Sequence, residues 1–226
     1  MNKFCITCYL AFFAFTVFAQ EEAYTHIDNF TKIDVTDKII VQLERSTTSE
    51  IQVNVQEMEK DNVVVEVVDG VLKLSVDNEL KPGKVRINIK YKELTEISGS
   101  GMAEISTGNL IKSNTLNVKL LSGANAYLDL DIQTLNAEIA ERSLFQADGY
   151  AVNQEITLKT YGIYSGYECE GEKVHVSAGM GTKAKVYAEE ELNVDARSGA
   201  YVSYKGEPKT THFEAKSGSS VEAATP

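Results

Sequence analysis

Between residues 29 and 93 apolar and polar positions alternate with a period of two. The runs "FTKIDV", "KIIVQLER", "EIQVNVQ", "NVVVEVV", "VLKLSV" and "KVRINIKY" each place apolar residues on one face and polar or charged residues on the other. That alternation is the mark of half-buried strands. Asp69-Gly70 separates two such runs and predicts a hairpin, because a two-residue hairpin turn needs positive φ at both positions. Pro82-Gly83 predicts a second turn. No segment carries a helical period, so residues 20–93 are expected to form a strand-rich N-terminal part.

From residue 94 onward the strands shorten and a pattern recurs. An apolar-x-apolar pair is followed closely by small residues. The leading pairs are Leu116/Val118, Leu135/Ala137, Ile156/Leu158, Val174/Val176, Leu192/Val194 and Phe213/Ala215, whose first members lie 19, 21, 18, 18 and 21 residues apart. The small-residue corners are "ISGSGM", "SGAN", "SAGMG", "RSGAY" and "KSGSS", with irregular copies at "AERSLF" and "KTYGIY". A linker would not return once per repeat between strands. A phosphate loop would not return at all, and none of these copies ends in the Lys-Ser/Thr of a P-loop.

Repeats of about twenty residues imply a stacked architecture. The period-two text excludes helical repeats, and the Leu/Asn frame of a leucine-rich repeat is missing. One coil of a parallel β-helix fits this length. Six coils at about 4.8 Å each would make a rod on the order of 30 Å long over residues 94–226. A propeller or sandwich is the competing all-β arrangement, but it calls for blades of about forty residues or hairpin-linked strands. On this reading the corner residues are small because coils stack directly there. A Gly199→Val change is expected to push a branched side chain against the next coil.

Composition changes this picture mainly at the N-terminus. Lys3, the apolar run "CITCYLAFFAFTVF" and the small-x-small pair Val17/Ala19 predict a signal peptide over residues 1–19, with the exported chain starting at Gln20. Cys5 and Cys8 lie inside that segment without a lipoprotein context, so a lipid anchor is not expected. Cys169 is then the lone thiol, expected as a buried small apolar residue in a chain without an intramolecular disulfide. The net charge is −11. Removing Lys3 makes it −12, which disfavours nucleic acid and anionic membrane as partners. Membrane insertion after signal cleavage is not expected, because no second apolar run approaches the ~20 residues of a span.

Candidate chemistry is sparse. Asp129 and Asp131 alternate with Leu128, Leu130 and Ile132, and are expected on the solvent face of one strand. Glu189–Glu191 reads as a solvated turn. His26, His175 and His212 share no zinc-site spacing, and the corner serines have no partner His at a motif distance. No catalytic, cofactor or metal residue is therefore assigned, and no cofactor is expected. The feature with some binding character is the cluster Tyr150, Tyr161, Tyr164 and Tyr167. Exposed aromatic faces hold sugar rings or protein partners, although tyrosines covering adjoining strands would look the same in sequence.

The run "LNVDARSGAYVSYKGEPKTTHFEAKSGSSVEA", together with "ISGSGMAEI" and "LLSGANAYL", resembles the bacterial "putative auto-transporter adhesin, head GIN domain" family, a domain of unknown function. The shared features are the Ser-Gly corners, the phrase V-x-Y-x-G-x-P (Val202, Tyr204, Gly206, Pro208) and a front end F-x-x-I-x-V (Phe30 to Val35). The resemblance spans nearly the whole exported chain. It implies an exported protein of Bacteroidetes type with a right-handed parallel β-helix and brings no catalytic residues. The chain departs from the pattern at Ala140–Phe145 and Thr160–Ile163. The expected function is a non-enzymatic envelope protein, periplasmic or outer-surface, that binds a cell-surface glycan or an envelope protein through its β-helix surface, with homo-oligomerisation possible. The alternative is a carbohydrate-active β-helix enzyme, which would need carboxylates stacked on one flank of consecutive coils beside a groove.

Overall fold

The computed structural model describes residues 23–77 and 83–224. The expected signal peptide and Pro82 of the expected second turn lie outside the described residues. The first part contains β1 (Thr25–His26), β2 (Lys32–Val35), β3 (Ile39–Arg45), β4 (Glu50–Gln56), β5 (Val63–Val68), β6 (Val71–Val76) and β7 (Lys84–Tyr91). The second contains β8 (Glu96–Gly99), β9 (Glu104–Thr107), β10 (Ile111–Leu120), β11 (Asn125–Ile139), β12 (Leu144–Leu158) and β13 (Ile163–Glu170). It continues with β14 (Lys173–Ala178), β15 (Lys183–Tyr187), β16 (Glu191–Ala196), β17 (Tyr201–Lys205), β18 (Thr210–Ala215) and β19 (Ser220–Ala223). The one helical piece among the described residues is a 3-10 turn, Lys60–Asn62.

These strands wind into a parallel β-solenoid with two stacked faces. One face runs β6, β2, β8, β10, the second half of β11, the second half of β12, β14, β16 and β18. The other runs β7, β3, β9, the first half of β11, the first half of β12, β13, β15, β17 and β19. Every neighbour in both stacks is parallel. Antiparallel pairing is confined to the N-terminal end, where β5 folds onto β6, β4 onto β7, and β1 onto β4. The expected Asp69-Gly70 hairpin is present, with φ of 51° and 75° at its two residues. A fold-back of this kind ends the rod without leaving the first parallel rung bare.

The parallel pairing puts like positions above one another. On the first face Ile33, Ile97, Val118, Ala137, Ile156, Val176 and Val194 form one inward column, ending at Phe213. On the second face Val41, Ile105, Ala126, Phe145, Tyr164, Ala184 and Val202 do the same. All but the terminal Phe213 are buried in a single continuous core. Each buried Val, Leu or Ile contributes about 1.5–3 kcal/mol, so the rod is held by many equivalent layers rather than by any one contact.

The pairing also corrects the register read from sequence. The first position of each pair follows Leu116, Leu135, Gln154, Val174, Leu192 and Thr211. Successive coils are therefore 19, 19, 20, 18 and 19 residues long. Ile156/Leu158 and Phe213/Ala215 sit two residues late, because polar Gln154 and Thr211 hide the true first position. Gln154 is tolerated inside because its amide donates to the Cys169 carbonyl at 3.1 Å and accepts from the Tyr164 hydroxyl at 2.9 Å.

The corners follow one geometry throughout. Ser122/Gly123, Glu141/Arg142, Thr160/Tyr161, Met180/Gly181, Ser198/Gly199 and Ser217/Gly218 all have two successive residues at positive φ. In most copies the amide after the pair closes the turn onto the carbonyl before it, as in Ala124 to Leu121 at 3.1 Å. The second corner residue also donates to the first corner residue of the next coil, from Met102–Ser122 through Gly123–Glu141, Arg142–Thr160, Tyr161–Met180 and Gly181–Ser198 to Gly199–Ser217. The corners are thus a hydrogen-bonded ladder of their own.

The reason for glycine at this corner differs from the steric one expected. A Cβ added at Gly199 meets nothing within 4 Å, so the first carbon of a side chain there would not strike the next coil. Its φ of 76° is the constraint. Packing instead selects the residue just past the corner, where Ala103, Ala124, Ser143, Thr182 and Ala200 are all buried.

Candidate functional site

The two irregular corners have no glycine at either position. Arg142 and Tyr161 occupy the same corner position in consecutive coils, with φ of 63° and 62°. Copies on either side place Gly123 and Gly181 there, which adopt this conformation without a Cβ penalty. Non-glycine residues held at positive φ cost on the order of 1 kcal/mol or more each and are associated with functional surfaces. The strained pair is contiguous and faces solvent.

Around the pair a shallow depression is lined by Arg142, Tyr161, Ile163, Gly181 and Lys183. Tyr161 is 55% exposed and Ile163 is 38% exposed. The Tyr161 ring lies over Gly181 of the next coil, since a Cβ there would come within 2.9 Å of Cε1. A side chain at residue 181 would evict the ring. The Arg142 guanidinium stands 5.6 Å from the ring centroid. Ile163 and Lys183 arrive from β13 and β15, where pairing places them directly in register. Among the described residues neither Arg142 nor Lys183 has an ion-pair partner, while Glu141 is held by the Ser122 hydroxyl at 2.8 Å and Lys159 by Glu138 at 2.7 Å.

The four tyrosines singled out by sequence do not converge. Tyr164 is fully buried, packed on Phe145 with ring centroids 5.5 Å apart, and burial drives its phenol well above the ordinary range. Tyr150 is half-buried and donates to Glu172 at 3.0 Å, which raises its pKa. Tyr167 pairs its hydroxyl with Ser203, beneath the ammonium groups of Lys185 and Lys205 at 5.5 and 4.9 Å from its ring. Tyr161 alone of the four presents a mostly open ring. Arg142, Ile163 and Lys183 were not singled out from sequence. The available signal was the loss of Ser-Gly at two adjacent corners.

Cys169 is buried, and burial pushes its thiol up to about 12, so it is inert at neutral pH. His175 and His212 lie on the outward side of their strands, 3.7 Å from Glu155 and 4.0 Å from Glu214 respectively. His26 is exposed in β1. Among the described residues no cluster of three His, Cys, Asp or Glu could hold a metal ion.

One arrangement not aligned from sequence does emerge. Pairing stacks Asp129, Asp148 and Glu168 in consecutive coils, next to Asp131, Tyr150 and Glu170. These carboxylates lie at the opposite margin of the second face from Arg142 and Tyr161. Lys112 pairs with Asp131 at 2.8 Å and Lys205 with Glu168 at 3.0 Å. The shallow depressions described on this surface are lined by other residues.

Known proteins place this architecture. Solved structures with the same fold include a putative adhesin from Bacteroides fragilis, 20% identical, with 90% of this chain and 96% of that chain covered and a TM-score of 0.81. A putative adhesin from Parabacteroides distasonis is 16% identical over 90% of this chain and 96% of that one, with a TM-score of 0.74. A putative lipid binding protein from Parabacteroides distasonis is 18% identical over 91% and 96%, with a TM-score of 0.67. No curated protein sequence matches the chain. The family model described as "Putative auto-transporter adhesin, head GIN domain" matches residues 29–208, and the chain belongs to that family.

Proposed function

We propose that this is an exported, non-enzymatic, adhesin-like protein of the cell envelope. Its rigid solenoid flank binds a cell-surface glycan or an envelope protein. The observation that carries this reading is the Arg142–Tyr161 corner, where two large side chains stand in solvent on residues of positive φ, at positions that the adjoining coils give to Gly123 and Gly181. Membership of an adhesin-type family supports it. A solenoid suits such a role because its flank is fixed by backbone ladders, so little ordering entropy is lost on binding.

A second reading, a carbohydrate-active enzyme, draws on the Asp129/Asp148/Glu168 stack. Carboxylates one coil apart fall near the ~5 Å separation used by retaining glycosidases. Against it stand Lys205, which pairs with Glu168 of the stack, Lys112, which pairs with the neighbouring Asp131, and the lack of a groove lined by the stack among the described residues. The deciding experiment takes the exported chain through a glycan and envelope-protein binding screen, with Tyr161→Gly as control, and through turnover assays on acidic and neutral polysaccharides with and without Ca²⁺. Binding that depends on Tyr161, without turnover, is the expected result. Release of reducing or unsaturated ends that disappears in Asp148→Asn would replace the binding reading with the enzymatic one.

A further inference from the structure

Resting on that reading, we infer that the Arg142–Tyr161–Ile163–Lys183 corner is a subsite for an acidic sugar residue, a uronate within a surface polysaccharide. Three features of the patch combine to select that chemistry. The open Tyr161 ring, backed by Gly181, offers a flat apolar face to the C–H side of a pyranose. Ile163 extends that apolar platform onto the next strand. Arg142 and Lys183 flank the platform from the preceding and following coils, and among the described residues neither has an ion-pair partner. A planar guanidinium suits a carboxylate in two-point contact.

The charge pattern around the patch favours the same chemistry. The chain as a whole carries −11, so unpaired cations gathered at one apolar spot run against the general field. Lys185 on the same strand as Lys183 extends the positive lane inward across the second face. Beyond it the lane meets Asp129, Asp148 and Glu170, which would repel an anionic chain. A polyuronate is therefore directed along the corner ladder, coil to coil, rather than across the face. An acyl chain is a poorer fit, because the inward positions are filled by the continuous core and the patch is shallow.

The test measures binding of polygalacturonate to the exported chain, against its fully methyl-esterified form, which keeps the rings and removes the charge. Vesicles of phosphatidylglycerol form a third arm. Tyr161→Gly is the key variant, because glycine adopts the corner φ freely and the fold should survive, as a melting curve at or above that of the parent would verify. The expected result is polygalacturonate binding that weakens about tenfold or more in Tyr161→Gly and again in Arg142→Ser/Lys183→Ser. It should also weaken when salt is raised from about 0.1 M to about 1 M, which shortens the screening length from about 10 Å to about 3 Å. Equal binding of the esterified form, binding indifferent to both variants, or binding of vesicles instead of polygalacturonate overturns the inference. A Tyr161-dependent protein partner with no polyuronate binding also overturns it, yet leaves the binding function standing. No Tyr161-dependent binding in any arm or in the wider screen removes both.

Discussion

Two glycine-to-alanine changes separate conformational from steric demands on the coil. Gly199 and Gly149 both have positive φ, 76° and 102°. At Gly199 an added Cβ meets nothing within 4 Å, so Gly199→Ala costs the backbone penalty alone, about 1 kcal/mol. At Gly149 the Cβ would lie 2.2 Å from the Leu130 carbonyl oxygen in the neighbouring coil. An ordinary carbon–oxygen approach is about 3.3 Å, so the coils must part locally by about 1 Å. That opening weakens one or two ladder hydrogen bonds, each about 1–3 kcal/mol when left unmade, in addition to the backbone term. The expected loss for Gly149→Ala is about 3–5 kcal/mol. Urea unfolding followed by far-UV circular dichroism reads the difference as a shift in midpoint at constant slope. For a chain of this size, thermal melts should fall by about 2–4 °C for Gly199→Ala and by roughly three times that for Gly149→Ala. Equal shifts, or a larger one for Gly199→Ala, would refute the account of why glycine recurs.

Two further outcomes concern the buried polar group at the centre of the rod. Gln154→Leu restores the apolar column but strands the Tyr164 hydroxyl, and is expected to destabilise by about 1–3 kcal/mol. Adding Tyr164→Phe should recover most of that loss in a double-mutant cycle, and strict additivity of the two changes would contradict the hydrogen bond's role. The second outcome is alkaline instability. Folding raises the Cys169 thiol from 9.0 to about 12 and lifts the Tyr164 phenol well above 10.0, by burial in both cases. The unfolded chain therefore releases these protons first, so stability is intact below pH 9 and falls as pH rises toward 12. The thiol accounts for about 1.4 kcal/mol per pH unit in that window. Urea midpoints measured from pH 8 to 11 should decline less steeply in Cys169→Ala, and identical slopes would rule out the thiol's part.

Much of this molecule was legible in its text. Period-two alternation, the Asp69-Gly70 hairpin and the return of small residues every twenty positions led to a parallel solenoid because each reflects a local rule, namely strand pleat, turn φ and repeat length. The register was less legible. Gln154 and Thr211 are polar at apolar positions, and a pattern reader slides past them to Ile156 and Phe213. Only the pairing of β11 with β12 and of β16 with β18 fixes them in place. The tyrosine cluster failed for a related reason. The four tyrosines come from β12, the corner before β13 and β13 itself, and an extra residue in β13 shifts its register against β12 between Gln146 and Asp148.

What the sequence determined by itself was the coil, since alternation, turn conformation and period act over a few residues and need no knowledge of the rest. What the tertiary structure decided was company: which side chains from successive coils stand side by side on the outer flank. Arg142, Ile163 and Lys183 are about twenty residues apart in the chain and adjacent in space, because parallel stacking converts one repeat of sequence into a single strand spacing of about 4.8 Å. The same conversion lines up Asp129, Asp148 and Glu168 at the opposite margin. A binding surface on a solenoid is written across the repeats, so it becomes visible only when the register that stacks them is known.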